Sequence, residues 1–337
     1  MQVQVCDKMI KADRLYKWDN IKFFSILCIV LLHSTMPYAM DGSRVFRYVQ
    51  PFINLYPMTM FAIISGFWYK DKTIKQLFVS LLLPCILFSI INDVIGYYSH
   101  FPKFVFNFKY KAGYAMWYLL ALFIYSLFTR LVKKHFGVIW YFLVVLILAV
   151  TIGFIPVPNR YLDIQRISSL FPSYAFGVFL KEKYGDRLSK GCSSRKVLII
   201  CLSVIAACVT SNLAMIHFRP DWIKYDRLVS YYGLNYHAAL VKWFMCLLRV
   251  IVCVCVIICF PNKKYWYSVY GTRTLNVYLL HMIPVFLLSW GILYPFRYEW
   301  WGVISLVIVV PLLCTMFLSE RVDRFMKKLL LFNTVKL

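Results

Sequence analysis

Charge is scarce in this sequence. Only 15% of its 337 residues are charged and 14 are acidic, against 61% hydrophobic and 19% aromatic, a balance that excludes an ordinary water-soluble globular domain. Eleven cysteines are present, but none form a CxxC pair and no histidine stands at metal-ligand spacing, so no metal is assigned. Most of these thiols lie in apolar runs, where they act as small hydrophobes. No G-x-S-x-G pattern surrounds Ser65, which argues against a nucleophile elbow there. Ser65-Gly66 reads instead as a close helix-packing element. Internal repeats and low-complexity linkers are missing. No small-residue cleavage site follows the first apolar run at His33 to Pro37, so that run is expected to stay in the protein.

Apolar runs of about 17 to 23 residues recur from Ile21 almost to the end of the chain. Each is long enough to cross a hydrocarbon core of about 30 Å at about 1.5 Å per residue. Hydropathy and helix breakers place ten spans, at 20–38, 50–69, 77–97, 115–132, 137–155, 165–181, 196–216, 241–260, 271–293 and 300–319. The expected fold is an all-α polytopic transmembrane bundle, because an open sheet edge has no partner in lipid. Residues 1–19 read as a cytoplasmic N-terminal segment, 20–319 as the membrane domain and 320–337 as a basic cytoplasmic tail.

The formal charge is +24. Lys and Arg are roughly twice as frequent in the set of loops that includes both termini, which puts the N- and C-termini in the cytoplasm under the positive-inside rule. No cysteine falls in a predicted outer loop, as suits a chain that relies on no disulfide in an oxidising compartment. The basic surplus is thus assigned to topology and to contact with membrane lipid, and nucleic acid is not expected as a partner. Nothing in the sequence fixes an oligomeric state.

The first span carries unusual chemistry. Lys22 and His33 are 11 residues apart, which at about 100° per residue brings them within about 20° of one face, separated by roughly 16 Å along the axis. Asp19 lies on the same face, one turn earlier. An acid, an amine and an imidazole on one stripe of an apolar helix are costly in lipid and normally face protein or a watery cavity. The plainer reading is an interfacial Asp19/Lys22 pair with a snorkelling lysine and a packed His33.

A basic residue, ten residues and a histidine, preceded by Asp, resembles the signature of the acyltransferase 3 superfamily. Tyr16-Lys-Trp-Asp-Asn-Ile-Lys22 looks most like its fucose 4-O-acetylase-related branch. Phe61-Ala-Ile-Ile-Ser65-Gly66-Phe67, Trp117-Tyr118-Leu-Leu-Ala-Leu, Phe171-Pro172-Ser-Tyr-Ala-Phe-Gly177 and Thr274-Leu-Asn276-Val-Tyr278-Leu-Leu-His281 follow in family order, over roughly residues 14 to 285. Two departures stand out: the basic partner is Lys22 rather than arginine, and only Lys70, Lys72 and Lys75 follow the second span where the family has an arginine pair.

The resemblance implies transfer of an acyl group, usually acetyl from acetyl-CoA, to a hydroxyl of an extracytoplasmic glycan or glycolipid, at a bacterial cytoplasmic membrane. On that reading Lys22, Asp19 and Arg273 serve the donor side, Lys22 as a point charge for phosphate. His33 acts as general base or as a transient acyl carrier. His281 should reach a similar depth and either packs or joins the chemistry. Arg249, deep in the eighth span, either stabilises an oxyanion or pairs with an acid. Trp117, Tyr118 and Arg166 are candidates for the acceptor sugar, although interfacial anchoring is the commoner role of Trp and Tyr. Tyr225, Tyr231, Tyr232, Tyr236 and His237 are weaker candidates for an acceptor entrance. A transporter or flippase would be expected to show repeated halves, which are not seen. A non-catalytic subunit of a glycan assembly would leave the ordered motifs unexplained.

Overall fold

The structure is a computed structural model and describes residues 15–36, 53, 55–99, 114–155, 161–189, 194–218, 235–296 and 298–330. Among them there is no strand. The helices are α1 (Tyr16–Ser34), α2 (Pro57–Phe67), α3 (Ile74–Tyr98), α4 and α5 (the two arms of Trp117–Ile152), α6 (Ile164–Ser189), α7 (Arg195–Phe218), α8 (Tyr236–Cys259), α9 (Thr274–Ile292), α10 (Trp300–Leu318) and α11 (Glu320–Leu329). Among the described residues six helical stretches are long and apolar enough to cross a membrane: α3, the joined α4–α5, α7, α8, α9 and α10. The protein is a multi-pass membrane protein, and its first ten helices follow the ten expected spans in order.

The differences from the expected spans have local causes. The hairpin between the fourth and fifth spans is reduced to Gly137, at φ 69° and ψ 172°, a backbone state that glycine enters without Cβ strain. α6 runs on to Ser189, past the expected end at 181, because its last turns are charged and leave the apolar layer. α9 widens into π-helical register at Val285–Ile292, immediately after Pro284, whose missing N–H interrupts the regular ladder. Residues 320–329, expected only as part of a tail, form α11 with Ser319 as its cap.

α1, α2 and α6 are the inner helices. α1 exposes only Phe24 among its residues, and Ile21, Ile26 and Val30 are fully buried. α2 and α6 cross at two glycines. A Cβ on Gly66 would overlap the Tyr174 carbonyl oxygen, and one on Gly177 would overlap that of Ile63, so the two backbones touch as small-residue crossings in membranes do. α4 packs on α6 through Tyr125, stacked on Phe171 with centroids 4.4 Å apart and donating its hydroxyl to Ile167 O at 2.5 Å.

The segment joining α8 to α9 straps the start of α1. Lys17 N donates to Asn262 Oδ1 (3.2 Å), Asn20 Nδ2 to Lys263 O (3.0 Å) and Ser268 Oγ to Asn20 Oδ1 (2.6 Å). A Cβ on Gly271 would overlap Asp19 O. α11 meets the start of α9 through Asn276 and Asp323, 3.1 Å apart. The beginning of α1 and the final helix therefore lie at the same end of the bundle.

Candidate active site

α1 places its polar stripe along a cavity. Lys22 Nζ lies 2.8 Å from Asp19 Oδ1, and Lys22 lines a cavity of about 620 Å³ of free space including its mouth. The walls are mostly apolar, with Ile29, Phe61, Ile64 and Leu119 among them, and the polar groups besides Lys22 are Ser65, Tyr118, Thr274 and Tyr278. Ile29 is one turn before His33 on the same face of α1, so the cavity follows the stripe inward from the amine.

Beyond the cavity stand two imidazoles. The rings of His33 and His281 have centroids 5.2 Å apart, although the residues are 248 positions apart in sequence. His281 is wholly buried. Its Nδ1 faces the carbonyl oxygens of Tyr278 (2.9 Å) and Val277 (3.1 Å). Two carbonyls can only accept, so the neutral ring carries its proton on Nδ1 and leaves an acceptor lone pair on Nε2. That Nε2 is buried without a hydrogen-bond partner among the described residues. A buried acceptor left open in this way calls for an explanation.

A family model described as an acyltransferase domain, acyltransferase 3, matches residues 15–320. The chain belongs to the acyltransferase 3 family. No curated protein and no solved structure matches it. Family membership together with six membrane-length apolar stretches makes the chain a membrane acyltransferase.

Within this family fold, the aromatic candidates converge on the histidines. Tyr278 lies 6.1 Å from His281 and 5.9 Å from Tyr118, measured between ring centroids. The Tyr118 hydroxyl is 3.0 Å from Ser65 Oγ, and Tyr278 donates its own hydroxyl to Ala115 O. Trp117 packs edge-on to Tyr118 at 6.0 Å and carries the Arg166 guanidinium over its face at 4.8 Å. Asp163 pairs with Arg166 at 3.6 Å.

Two candidates lie elsewhere. Arg249 is buried in α8 beside Cys253, on the helix whose Leu248 and Val252 cluster with Leu55 and Tyr56, and it is not among the residues that line the cavity. The sequence reading gave Arg249 weight because of its depth alone, and depth does not say which way a helix face points. Arg273 donates Nη1–H to Leu318 O at 3.1 Å, which ties the foot of α9 to the end of α10 at the same end of the bundle as Lys22. Tyr225, Tyr231 and Tyr232 lie outside the described residues. Tyr236 is 70% exposed, with its ring 5.8 Å from Phe154, and His237 is exposed beside it.

Three further residues were not singled out from sequence, of which Tyr278 lines the cavity. Arg130 of α4 donates to Lys72 O at 2.9 Å and pairs with Asp71 at 3.4 Å, which brings an arginine into the loop where only lysines follow the second span. Lys181 of α6 lies over the rings of Phe67 and Trp68, at 5.1 and 5.3 Å. Both contacts are tertiary and have no local sequence signal. Tyr278 could have been found from sequence, since it precedes His281 by one helical turn.

Proposed function

We propose that this membrane acyltransferase moves an acetyl group from cytoplasmic acetyl-CoA to a hydroxyl of an extracytoplasmic or lipid-linked polysaccharide sugar, in the bacterial inner membrane, with both termini in the cytoplasm. Lys22, with Arg130 and the neighbouring lysines, receives the phosphates of the donor. The narrow, mostly apolar cavity receives the pantetheine arm, whose reach is comparable to the roughly 16 Å between Lys22 and His33. Ser65 and Tyr118 supply the polar contacts along it.

His33 removes the proton of the acceptor hydroxyl as its oxygen attacks the thioester carbonyl carbon. Arg166 faces the resulting oxyanion, the role first considered for Arg249. Collapse breaks the C–S bond, and the proton held by His33 passes to the departing CoA thiolate, so that ester and free thiol are the products. His281, whose Nε2 lone pair is open in the structure, orients His33 by accepting its far N–H once the two rings, 5.2 Å apart between centroids, turn toward each other. Trp117, buried with the Arg166 guanidinium over its ring, backs the sugar site through that guanidinium.

One observation carries the reading: two imidazoles 5.2 Å apart stand one helical turn past Ile29 and Tyr278, which line a cavity that also takes Lys22 from the same helix stripe. The test is mass spectrometry of surface glycans from cells producing wild-type protein or His33→Ala at equal protein level. Acetylation is expected to fall by about 10²–10⁴-fold, the usual range for loss of a general base. Unchanged acetylation removes His33 from the mechanism.

A further inference from the structure

The helix that follows the last span has a surface that the acyl-transfer site does not use. One side of α11 faces the bundle: Met326 and Leu330 are buried, and Asp323 accepts from Asn276 Nδ2 at 3.1 Å and from Lys327 Nζ at 2.6 Å. At about 100° per residue the opposite side presents Arg321, Phe325, Lys328 and Leu329 within a stripe about 100° wide. Phe325 is 62% exposed and Leu329 45%.

The charges on α11 are divided between its two sides. Its acids each have a base on their own helix, Lys327 for Asp323 at 2.6 Å and Arg324 for Glu320 at 4.0 Å. Arg321 and Lys328 are exposed and make no ion pair among the described residues. Two unpaired cations thus flank two uncovered apolar side chains. Water leaves the phenyl and isobutyl groups uncovered, and a hydrocarbon interior leaves the cations unsolvated. The headgroup layer of an anionic bilayer suits both, with apolar side chains among the acyl chains and bases on phosphate. The location fits, because Ser319 alone separates α11 from the membrane-length α10 and caps the new helix by accepting from Val322 N–H at 3.4 Å.

We propose that α11 is an in-plane binding surface for anionic phospholipid, with Phe325 and Leu329 inserted and Arg321 and Lys328 on the headgroups. Lipid held there steadies the foot of α9 through Asn276, one helical turn before Leu280 and His281.

The test is amide hydrogen exchange of the full chain in nanodiscs of phosphatidylcholine alone and of phosphatidylcholine mixed with phosphatidylglycerol. Amides of residues 320–330 are expected to exchange on the order of tenfold more slowly in the anionic discs, since each base near the surface favours binding by about fivefold. Molar salt should remove the difference. The Arg321→Gln/Lys328→Gln variant, which keeps the contacts of Asp323 and Met326, should exchange alike in both discs, with α9 amides at their wild-type rates in neutral discs. Equal exchange of the wild type in the two membranes, or slowing that appears only when two copies share a disc, overturns the proposal.

Discussion

Lys22 sits 2.8 Å from Asp19 at the rim of the cavity, so its charge is shared before any ligand arrives. An ammonium in that position can turn toward phosphate without losing the aspartate, because its three donors rotate on a flexible stem. Lys22→Ala should therefore raise the KM for the acyl donor by about tenfold or more, the scale of one lost hydrogen bond to a charged group, with kcat changed far less. Lys22→Arg should recover most of the loss. Steady-state kinetics with acetyl-CoA checks both. This part of the site was legible in the sequence, because residues on one helix face follow from spacing alone. The meeting of His33 with His281 was legible only as equal depth on two spans. The placing of Arg249 and Arg166 was not legible, since each depends on how a helix is rotated within the bundle.

The helices were readable from their apolar runs, and their crossings were not. Gly66 stands in the Ser65-Gly66 pair that suggested close packing and Gly177 only in a family motif, and their mutual contact depends on α2 meeting α6 at one registered point. Each glycine faces a backbone carbonyl of the other helix, which cannot rotate out of the way as a side chain can. Gly66→Ala and Gly177→Ala should each destabilise the protein by about 1–3 kcal/mol or more, read as a lower melting temperature in detergent. The amphipathic α11 sits beyond the last apolar run, where hydropathy gives no reason to look for a helix. Its Asp323 makes docking sensitive to pH. Burial alone would raise that carboxyl, but the hydrogen bonds from Lys327 and Asn276 and the charges of Lys327 and Arg273 outweigh it and hold Asp323 below the usual aspartate range. A lowered folded-state value means that the contribution is complete above the ordinary aspartate pKa of about 3.9 and is lost as pH falls through the lower, folded one. Protease resistance of the C-terminal helix should accordingly hold through mildly acidic pH and decline only below about pH 4. In Asp323→Asn it should be weaker at neutral pH and flat across that range.

At the scale of the whole molecule, the bundle lays a cavity between Lys22 and the turns that precede the histidine pair, with Lys22, Ile29 and Tyr278 among its walls, and the beginning of α1 shares an end of the bundle with α11. The end of the bundle that holds Lys22 is assembled from distant pieces: the strap of residues 262–271 fixes the start of α1, and Arg130 of α4 ties down the segment after α2. A donor entering there would meet positive charge first, an apolar passage next and the imidazoles last, which is the order in which phosphates, pantetheine and thioester follow one another. The most direct measurement is an experimental structure with a non-transferable acetyl-CoA analogue bound. The phosphates are expected at Lys22, and the acyl carbonyl within hydrogen-bond reach of an attacking hydroxyl held by His33. An analogue seated outside this cavity, or with its acyl end turned away from both histidines, would contradict the assignment of this cavity to acyl transfer.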